Sequence, residues 1–110
     1  MMASVLAGLV GERMAGEAIQ AAGGAWGDDV PLSLRDRSLV VVAALVAQGG
    51  VDARLRGHLS WALDHGTTAD ELGAAVTLLA VYTGYPRASV AMERLREELA
   101  RRDAGGPRSG

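Results

Sequence analysis

Helical periodicity dominates the pattern of apolar and polar positions along the chain. The sequence has no sustained apolar–polar alternation and no Asn-Gly or Asp-Gly pair, so it lacks the usual signals of strands and tight hairpins. Apolar residues instead recur at three- and four-residue spacing in five segments. These segments predict helices at about 3–21, 33–48, 52–65, 69–83 and 86–102. We therefore expect an all-α fold, a compact bundle of about five helices.

Residues typical of helix ends support these boundaries. Ser33 with Asp36, and Thr68 with Glu71, have the three-residue spacing of capping boxes. Pro86 suits the first turn of the last helix, where its missing N–H costs nothing. Glycines follow the predicted helix ends, at 49–50, 66 and 84.

The helices differ in how much apolar surface they carry. The second is apolar all round from Leu39 to Ala47, which predicts that it is buried on every side. On the fifth helix, Glu97 with Arg101 and Glu98 with Arg102 have the spacing of exposed i,i+4 ion pairs. A chain of 110 residues offers few elements to cover the second helix, so we expect self-association.

Domain and location follow from length and hydropathy. We expect one all-α domain over residues 1–102 and a disordered tail over 103–110. The longest unbroken apolar run is far shorter than the ~20 residues that span a bilayer, and no positive segment precedes the apolar start. These features predict a cytoplasmic protein without a membrane partner.

Composition excludes several kinds of chemistry. The chain has no Cys, so it forms no disulfide, thiolate metal site or thiol redox centre. It has no Lys, so no protein lysine can form a Schiff base. The net charge of -2 gives no case for nucleic-acid binding. His58 and His65 are two helical turns apart, about 10 Å, too far to share one metal ion, so we predict no metal site.

Three stretches together have a familiar order and spacing. They are W-G at 26–27 with L-R-D-R-S-L at 34–39; H-L at 58–59 with A-L at 62–63, G-T-T at 66–68 and D-E-L at 70–72; and A-V-Y at 80–82 with Gly84 and P-R-A at 86–88. Over about residues 26–99 the chain resembles the carboxymuconolactone decarboxylase family.

The resemblance implies both a fold and an activity. It implies an all-α protein that assembles as trimers or hexamers, with pockets among helices near subunit contacts. The best-known enzyme of the family removes CO2 from an unsaturated carboxy-lactone without a cofactor. A sister branch, the alkylhydroperoxidase D-like proteins, uses two cysteines three residues apart followed by a histidine. That peroxidase chemistry is excluded here because the chain has no Cys.

The resemblance covers the scaffold better than the site. Four residues before the histidine, decarboxylase relatives usually carry Glu, and this chain has Arg54. The position just before the histidine usually holds a larger apolar residue, and here it is Gly57. The segment before Trp26 is shorter than in the decarboxylases, whereas Asp28 keeps the acidic residue after Trp-Gly. A changed substrate or reaction is therefore one outcome to test.

His58 is the leading candidate for catalysis, because a partly buried imidazole exchanges a proton near neutral pH. The alternative is a core histidine bonded to a backbone carbonyl. Arg54, one turn earlier, is placed to hold a carboxylate or enolate, or else to pair with Asp52. Trp61 faces the same side as an aromatic wall for a ligand, or as a packing residue. The structural interpretation of His65 is a partner of the helix C-terminus.

Three further residues are candidate substrate contacts. Tyr82 can orient a ligand oxygen or simply pack with one hydrogen bond. Arg37 can reach a ligand carboxylate, or form a buried pair with one of the nearby aspartates at 28, 29 and 36. Trp26, with Asp28, can close a pocket or serve as a packing anchor.

Two functions are compatible with these residues. The first is a cofactor-independent lyase or tailoring enzyme acting on a small acid or lactone in aromatic catabolism or secondary metabolism. It would use His58 as acid/base, with Arg54 or Arg37 holding negative charge. The second is a non-catalytic oligomeric module that binds a small molecule or a partner. A solvent-connected pocket with Arg and Tyr side chains pointing at the His58 imidazole favours the enzyme. An imidazole sealed in apolar packing, with no cavity, favours the module.

Overall fold

A computed structural model describes residues 2–105, with side chains from Val5 onward. Within that range every regular element is a helix, which confirms the all-α class. The described helices are α1 (Met2–Val10), α2 (Glu12–Gly23), α3 (Leu34–Gln48), α4 (Asp52–Asp64), α5 (Ala69–Thr83) and α6 (Tyr85–Ala104).

The first predicted helix is two helices. Gly11 separates α1 from α2 and has a φ of 88°. A residue with a side chain rarely adopts that φ, so a glycine here permits the break. The two helices pack against each other in an N-terminal unit that ends at Ser33, and Ala15 of α2 is buried.

The C-terminal unit starts at Leu34 and contains α3 to α6. Helix α4 packs against α3 and α6, and α5 packs against the same two helices. The buried apolar core is contributed by all four helices. Its members are Val42, Val46, Leu55, Leu59, Ala62, Leu72, Val76, Ala80, Ala88, Ala91 and Leu95. Each helix of this unit thus buries one stripe at helical spacing.

Helix α3 corrects one prediction. Val42 and Val46 are buried, but Val40 is 58% exposed and Ala44 is also exposed. The expectation that 39–47 is buried on every side was therefore wrong for the single chain. Only the faces of α3 that contact α4, α5 and α6 are covered within the C-terminal unit.

The predicted helix ends are largely confirmed. Thr68 Oγ1 accepts a hydrogen bond from the Glu71 amide at 3.0 Å, and Glu71 Oε1 accepts one from the Thr68 amide at 2.9 Å. This is the complete capping box. Pro86 lies in the first turn of α6. The glycines after α3, α4 and α5 all have positive φ, at 49, 50, 66 and 84.

The ion pairs of α6 differ from those expected. Glu98 does pair with Arg102, at 2.9 Å. Glu97 does not pair with Arg101, because its carboxylate binds Arg56 of α4 at 2.8 Å, and Arg101 binds Glu98 instead. The Glu98 side chain is only 2% exposed. The spacing therefore gave one pair correctly, but it did not show that this carboxylate is buried.

Boundaries at the C-terminus also differ slightly. Helix α6 includes Asp103 and Ala104, which the sequence assigned to the disordered tail. The rest of that predicted tail, 106–110, lies outside the described residues. The single domain over 1–102 stays a prediction, and the two units are described separately. No helix in the described part of the chain is long and apolar enough to cross a membrane.

Candidate active site

Helix α4 presents three site candidates along one side, and His65 follows directly after the last residue of the helix. Arg54, His58, Trp61 and His65 follow one another at spacings of four, three and four residues, which places them on neighbouring turns. We call this set the imidazole row. Leu55, by contrast, belongs to the core-facing side of the same helix. Because the face of α4 that carries Leu55 is buried in the core, the imidazole row lies on a neighbouring face of the helix.

His58 is partly buried, and one of its ring nitrogens lacks a hydrogen-bond partner among the described residues. Its Nδ1 atom is buried and forms no hydrogen bond to any residue in the described range. Burial lowers the pKa of His58 below its ordinary 6.5, and the positive charge of Arg54 lowers it further. The ring is therefore mainly neutral at pH 7. The alternative was a core histidine bonded to a backbone carbonyl, and Nδ1 makes no such bond to the described residues.

Trp61 lies between the two imidazoles of the row. Its ring meets the His58 ring edge to face, with centroids 5.3 Å apart and planes at 76°. The His65 ring lies on its other side at 6.3 Å and 44°. The edge-to-face geometry is a favourable one for aromatic pairs. Trp61 thus restricts the orientation of the His58 ring, whether or not it also contacts a ligand.

His65 is anchored to α3. Its Nδ1 lies 2.6 Å from Ser38 Oγ, and Ser38 is completely buried. A hydroxyl both donates and accepts, so this hydrogen bond fits either tautomer of His65. Sequence reasoning missed Ser38. The signal was present, because Ser38 lies four and eight residues before Val42 and Val46 and so shares their buried face.

Arg54 is exposed, and its guanidinium is not part of an ion pair with a described residue. It forms no ion pair with any carboxylate of residues 2–105, so the expected alternative, a pair with Asp52, is not formed. Its charge is nevertheless close enough to lower the pKa of His58. An unpaired guanidinium beside a neutral imidazole can receive a ligand carboxylate or oxyanion.

The remaining predicted contacts lie elsewhere or have other interactions. Arg37 is 9% exposed at the start of α3 and interacts with other groups of the chain. Tyr82 on α5 is 79% exposed and makes no hydrogen bond or ring contact to the described residues. Trp26 belongs to the N-terminal unit. The structure brings together Arg54, His58 and Trp61 but does not join Tyr82 to them within one chain.

One buried hydroxyl near the end of α4 was also missed. Thr67 is 2% exposed, and its Oγ1 has no hydrogen-bond partner among the described residues. Its amide donates to the Ala62 carbonyl at 2.9 Å, which fixes the turn after the helix. Thr67 belongs to the G-T-T motif, but nothing in its spacing indicated burial.

Three cavities of the C-terminal unit have volumes of about 290, 510 and 360 Å³. None of the three is lined by His58, Arg54 or Trp61. Within the described residues, no three His, Asp or Glu side chains are grouped as metal ligands.

Comparison with known proteins identifies the family of this chain. The chain is 37% identical over 76 residues to a 4-carboxymuconolactone decarboxylase of Acinetobacter baylyi. The match covers 66% of this chain and 56% of that protein, so the chain spans about half the length of its curated relative. No solved structure matches this chain significantly. The sequence model of the Carboxymuconolactone decarboxylase family matches residues 15–97, and the chain therefore belongs to the carboxymuconolactone decarboxylase family.

Proposed function

We propose that this protein is a cofactor-independent lyase that decarboxylates a small carboxylate- or lactone-bearing molecule, or catalyses an allied proton shift. The observation that carries the proposal is the state of His58. Its Nδ1 is buried without a partner, its pKa is lowered, and the unpaired Arg54 lies one turn away. A perturbed histidine beside a free cation is a common feature of acid–base sites.

The reaction divides between these two side chains. In decarboxylation the bond from carbon to the carboxylate breaks, CO2 leaves, and the electron pair moves into the unsaturated lactone as a dienolate. Arg54 would stabilise the oxyanion as it forms. Protonated His58 would deliver a proton to carbon and regain one from solvent. The lowered pKa makes that imidazolium a stronger acid, although less of it is present at pH 7.

The arginine also bears on the substrate. Decarboxylase relatives usually carry Glu at the position of Arg54, and the reversed charge favours a more anionic ligand. We therefore include substrates of secondary metabolism as well as aromatic catabolism in the proposal. The shared identity with the Acinetobacter protein supports 4-carboxymuconolactone as the first substrate to try.

Self-association and a cytoplasmic location are further parts of this proposal. Helix α5 carries a largely exposed apolar face that includes Leu78, Val81 and Tyr82, and Tyr85 is exposed just beyond the helix. Side chains of this size are costly to leave in water together. A trimer or hexamer that covers this face would bury Tyr82 against a neighbouring chain. Tyr82 would then contact substrate only in the assembly.

The test is decarboxylation of 4-carboxymuconolactone, followed by ultraviolet absorbance and CO2 release, with wild type and His58→Ala side by side. We expect turnover by the wild type that collapses in the variant. Turnover unchanged by the substitution would keep the reaction and discard the role of His58. No turnover of this or of related lactones and acids would overturn the enzymatic proposal.

A non-catalytic binding module is the second candidate. It is favoured by one observation, namely that none of the three cavities described above is lined by His58. A module would bind acids or lactones without releasing CO2. Calorimetric binding with no turnover, unaffected by His58→Ala, is the result that would establish it.

A further inference from the structure

A second candidate site lies where α3 ends and where α4 and α6 begin. The cavity there has a volume of about 290 Å³, at the small end of the range for ligand sites. Most of its wall is apolar and includes Leu45, Val46, Leu55 and Val90. No residue of the imidazole row lines it, so the cavity is independent of the function proposed above.

One charged residue of the wall is Arg87, at the start of α6. Its Nη1 donates a hydrogen bond to the Ala47 carbonyl in the last turn of α3. Its side chain also lies across Gly49, where a Cβ atom would come within 3.1 Å of Arg87 Nε. Gly49 has a φ of 72°, which residues with a side chain rarely adopt. The absence of a side chain therefore permits this backbone conformation and also leaves space for the Arg87 side chain. The guanidinium is thereby held at the wall of the cavity.

Arg87 forms no ion pair with any carboxylate in the described part of the chain, and its guanidinium donates to the Ala47 carbonyl instead. The other charged residue of the wall is Asp52, in the first turn of α4. It too forms no ion pair with a described residue, Arg87 included. Two exposed and opposite charges therefore flank an apolar cavity, and neither charge neutralises the other.

We propose that this cavity binds a small apolar α-amino acid, with the ligand carboxylate on Arg87, its ammonium on Asp52 and its aliphatic side chain in the cavity. A simple carboxylate would leave its charge facing Asp52, and a simple amine would face Arg87. Only a zwitterion complements both groups, because each of its charges meets the opposite sign. The volume of about 290 Å³ is sufficient for a side chain of the size of leucine or phenylalanine.

The test compares leucine with its two half-analogues on the full chain. 4-Methylpentanoate lacks the ammonium, and 3-methylbutylamine lacks the carboxylate. Methyl and amide shifts of Leu45, Val46, Leu55 and Val90 would be followed by nuclear magnetic resonance. For a ligand this small we expect a dissociation constant on the order of 1 mM for leucine. Each half-analogue should bind about tenfold more weakly, because it loses one charge-assisted contact.

Matched variants decide the roles of the two charges. Arg87→Gln and Asp52→Asn should each weaken leucine binding about tenfold. Arg96→Gln, on the same helix as Arg87, and Asp70→Asn, in the first turn of α5, should leave binding unchanged. Equal binding of leucine and 4-methylpentanoate, insensitive to Asp52→Asn, would overturn the zwitterion site. Absence of saturable shifts with leucine in the folded wild type would overturn the proposal entirely.

Discussion

Two rows of side chains along α4 differ in how completely they are hydrogen-bonded. One is the imidazole row of Arg54, His58, Trp61 and His65. The other consists of Arg56, Ser60 and Asp64, here called the ion-pair row. Every member of the ion-pair row is bonded to α6. In the imidazole row, by contrast, the Nδ1 atom of His58 is buried without a partner among the described residues.

The ion-pair row contacts α6 through two separate groups of hydrogen bonds. Arg56 binds Glu97 at 2.8 Å, and Arg102 binds both Ser60 Oγ at 2.8 Å and Asp64 at 3.0 Å. Arg102 also binds the buried Glu98. Hydrogen bonds from Arg101 above all, and from Arg102, lower the pKa of Glu98 from 4.5 to about 2 despite its burial.

The difference in hydrogen bonding between the two rows matches a structural role for the ion-pair row and the proposed functional role of His58. Buried polar groups are normally satisfied, and those that are not need an explanation. The network around Glu98 is satisfied and joins α4 to α6, so its role is stability. His58, whose Nδ1 is buried without a partner among the described residues, is the residue to which the proposal assigns a functional role.

The largest expected effect is on activity. His58→Gln and His58→Asn place an amide near Nε2 and Nδ1, respectively, but neither side chain can transfer a proton. We expect both to lower the rate of CO2 release at least about 100-fold, with the free energy of unfolding changed by less than about 1 kcal/mol. Denaturant unfolding checks the second figure. Retention of most activity by either variant would show that hydrogen bonding suffices.

The next effect is on stability. Glu98→Gln leaves two arginines without their buried carboxylate and should lower the free energy of unfolding by about 3 kcal/mol. Glu97→Gln, at the half-exposed neighbour, is the control and should cost less than about 1 kcal/mol. The rate per folded molecule should stay within about twofold for both.

The same carboxylate predicts a dependence of stability on pH. Because the folded pKa of Glu98 lies below the unfolded value, its contribution is complete above pH 4.5 and is lost as the pH falls toward 2. In Glu98→Gln this part of the acid sensitivity should disappear, as measured by unfolding at several pH values. A wild-type stability that is flat over this range would contradict the assignment.

A smaller effect is expected at Ser38. Ser38→Ala removes the partner of His65 Nδ1 inside the protein and should cost about 1 kcal/mol of unfolding free energy. Since Trp61 lies between His65 and His58, we expect a change in near-ultraviolet circular dichroism and a rate loss below about tenfold. Ser89→Ala, at an exposed serine of α6, is the control. A stability loss without any change in the tryptophan signal would argue against this chain of contacts.

The smallest effect is a shift in the pKa of His58. Arg54→Gln should raise that pKa toward 6.5 without reaching it, because burial, the larger cause, remains. The imidazole proton signals in a nuclear magnetic resonance titration give the value. Arg56→Gln, two residues along in the ion-pair row, should leave it unchanged. If protonated His58 delivers the proton, the alkaline limb of the pH–rate profile moves to higher pH in Arg54→Gln.

The membership of the imidazole row could be predicted from the sequence, because it depends only on the spacing of residues within one helix. The positions 54, 58, 61 and 65 share a side of any helix drawn through them. The Thr68–Glu71 capping box also needs only neighbouring residues. The family resemblance, in turn, pointed to the all-α fold.

What the sequence could not show depends on contacts between distant segments. The burial of Glu98 requires α4 to lie over it, and the 2.6 Å contact of Ser38 with His65 joins residues 27 positions apart. The exposed side of α3 is the side that α4, α5 and α6 do not cover, and the sequence of α3 does not show which side that is. Gly11 divided the first predicted helix because a single positive φ outweighs apolar periodicity on either side.

The most direct test of these two roles is the double variant His58→Gln/Glu98→Gln, measured beside both single variants for CO2 release per folded molecule. Independent roles predict that the double variant has the rate of His58→Gln, and that the two effects add to within about 0.5 kcal/mol. A departure from additivity clearly larger than about 0.5 kcal/mol, which is roughly twofold in rate, would show that the two rows act as one unit and would contradict the account.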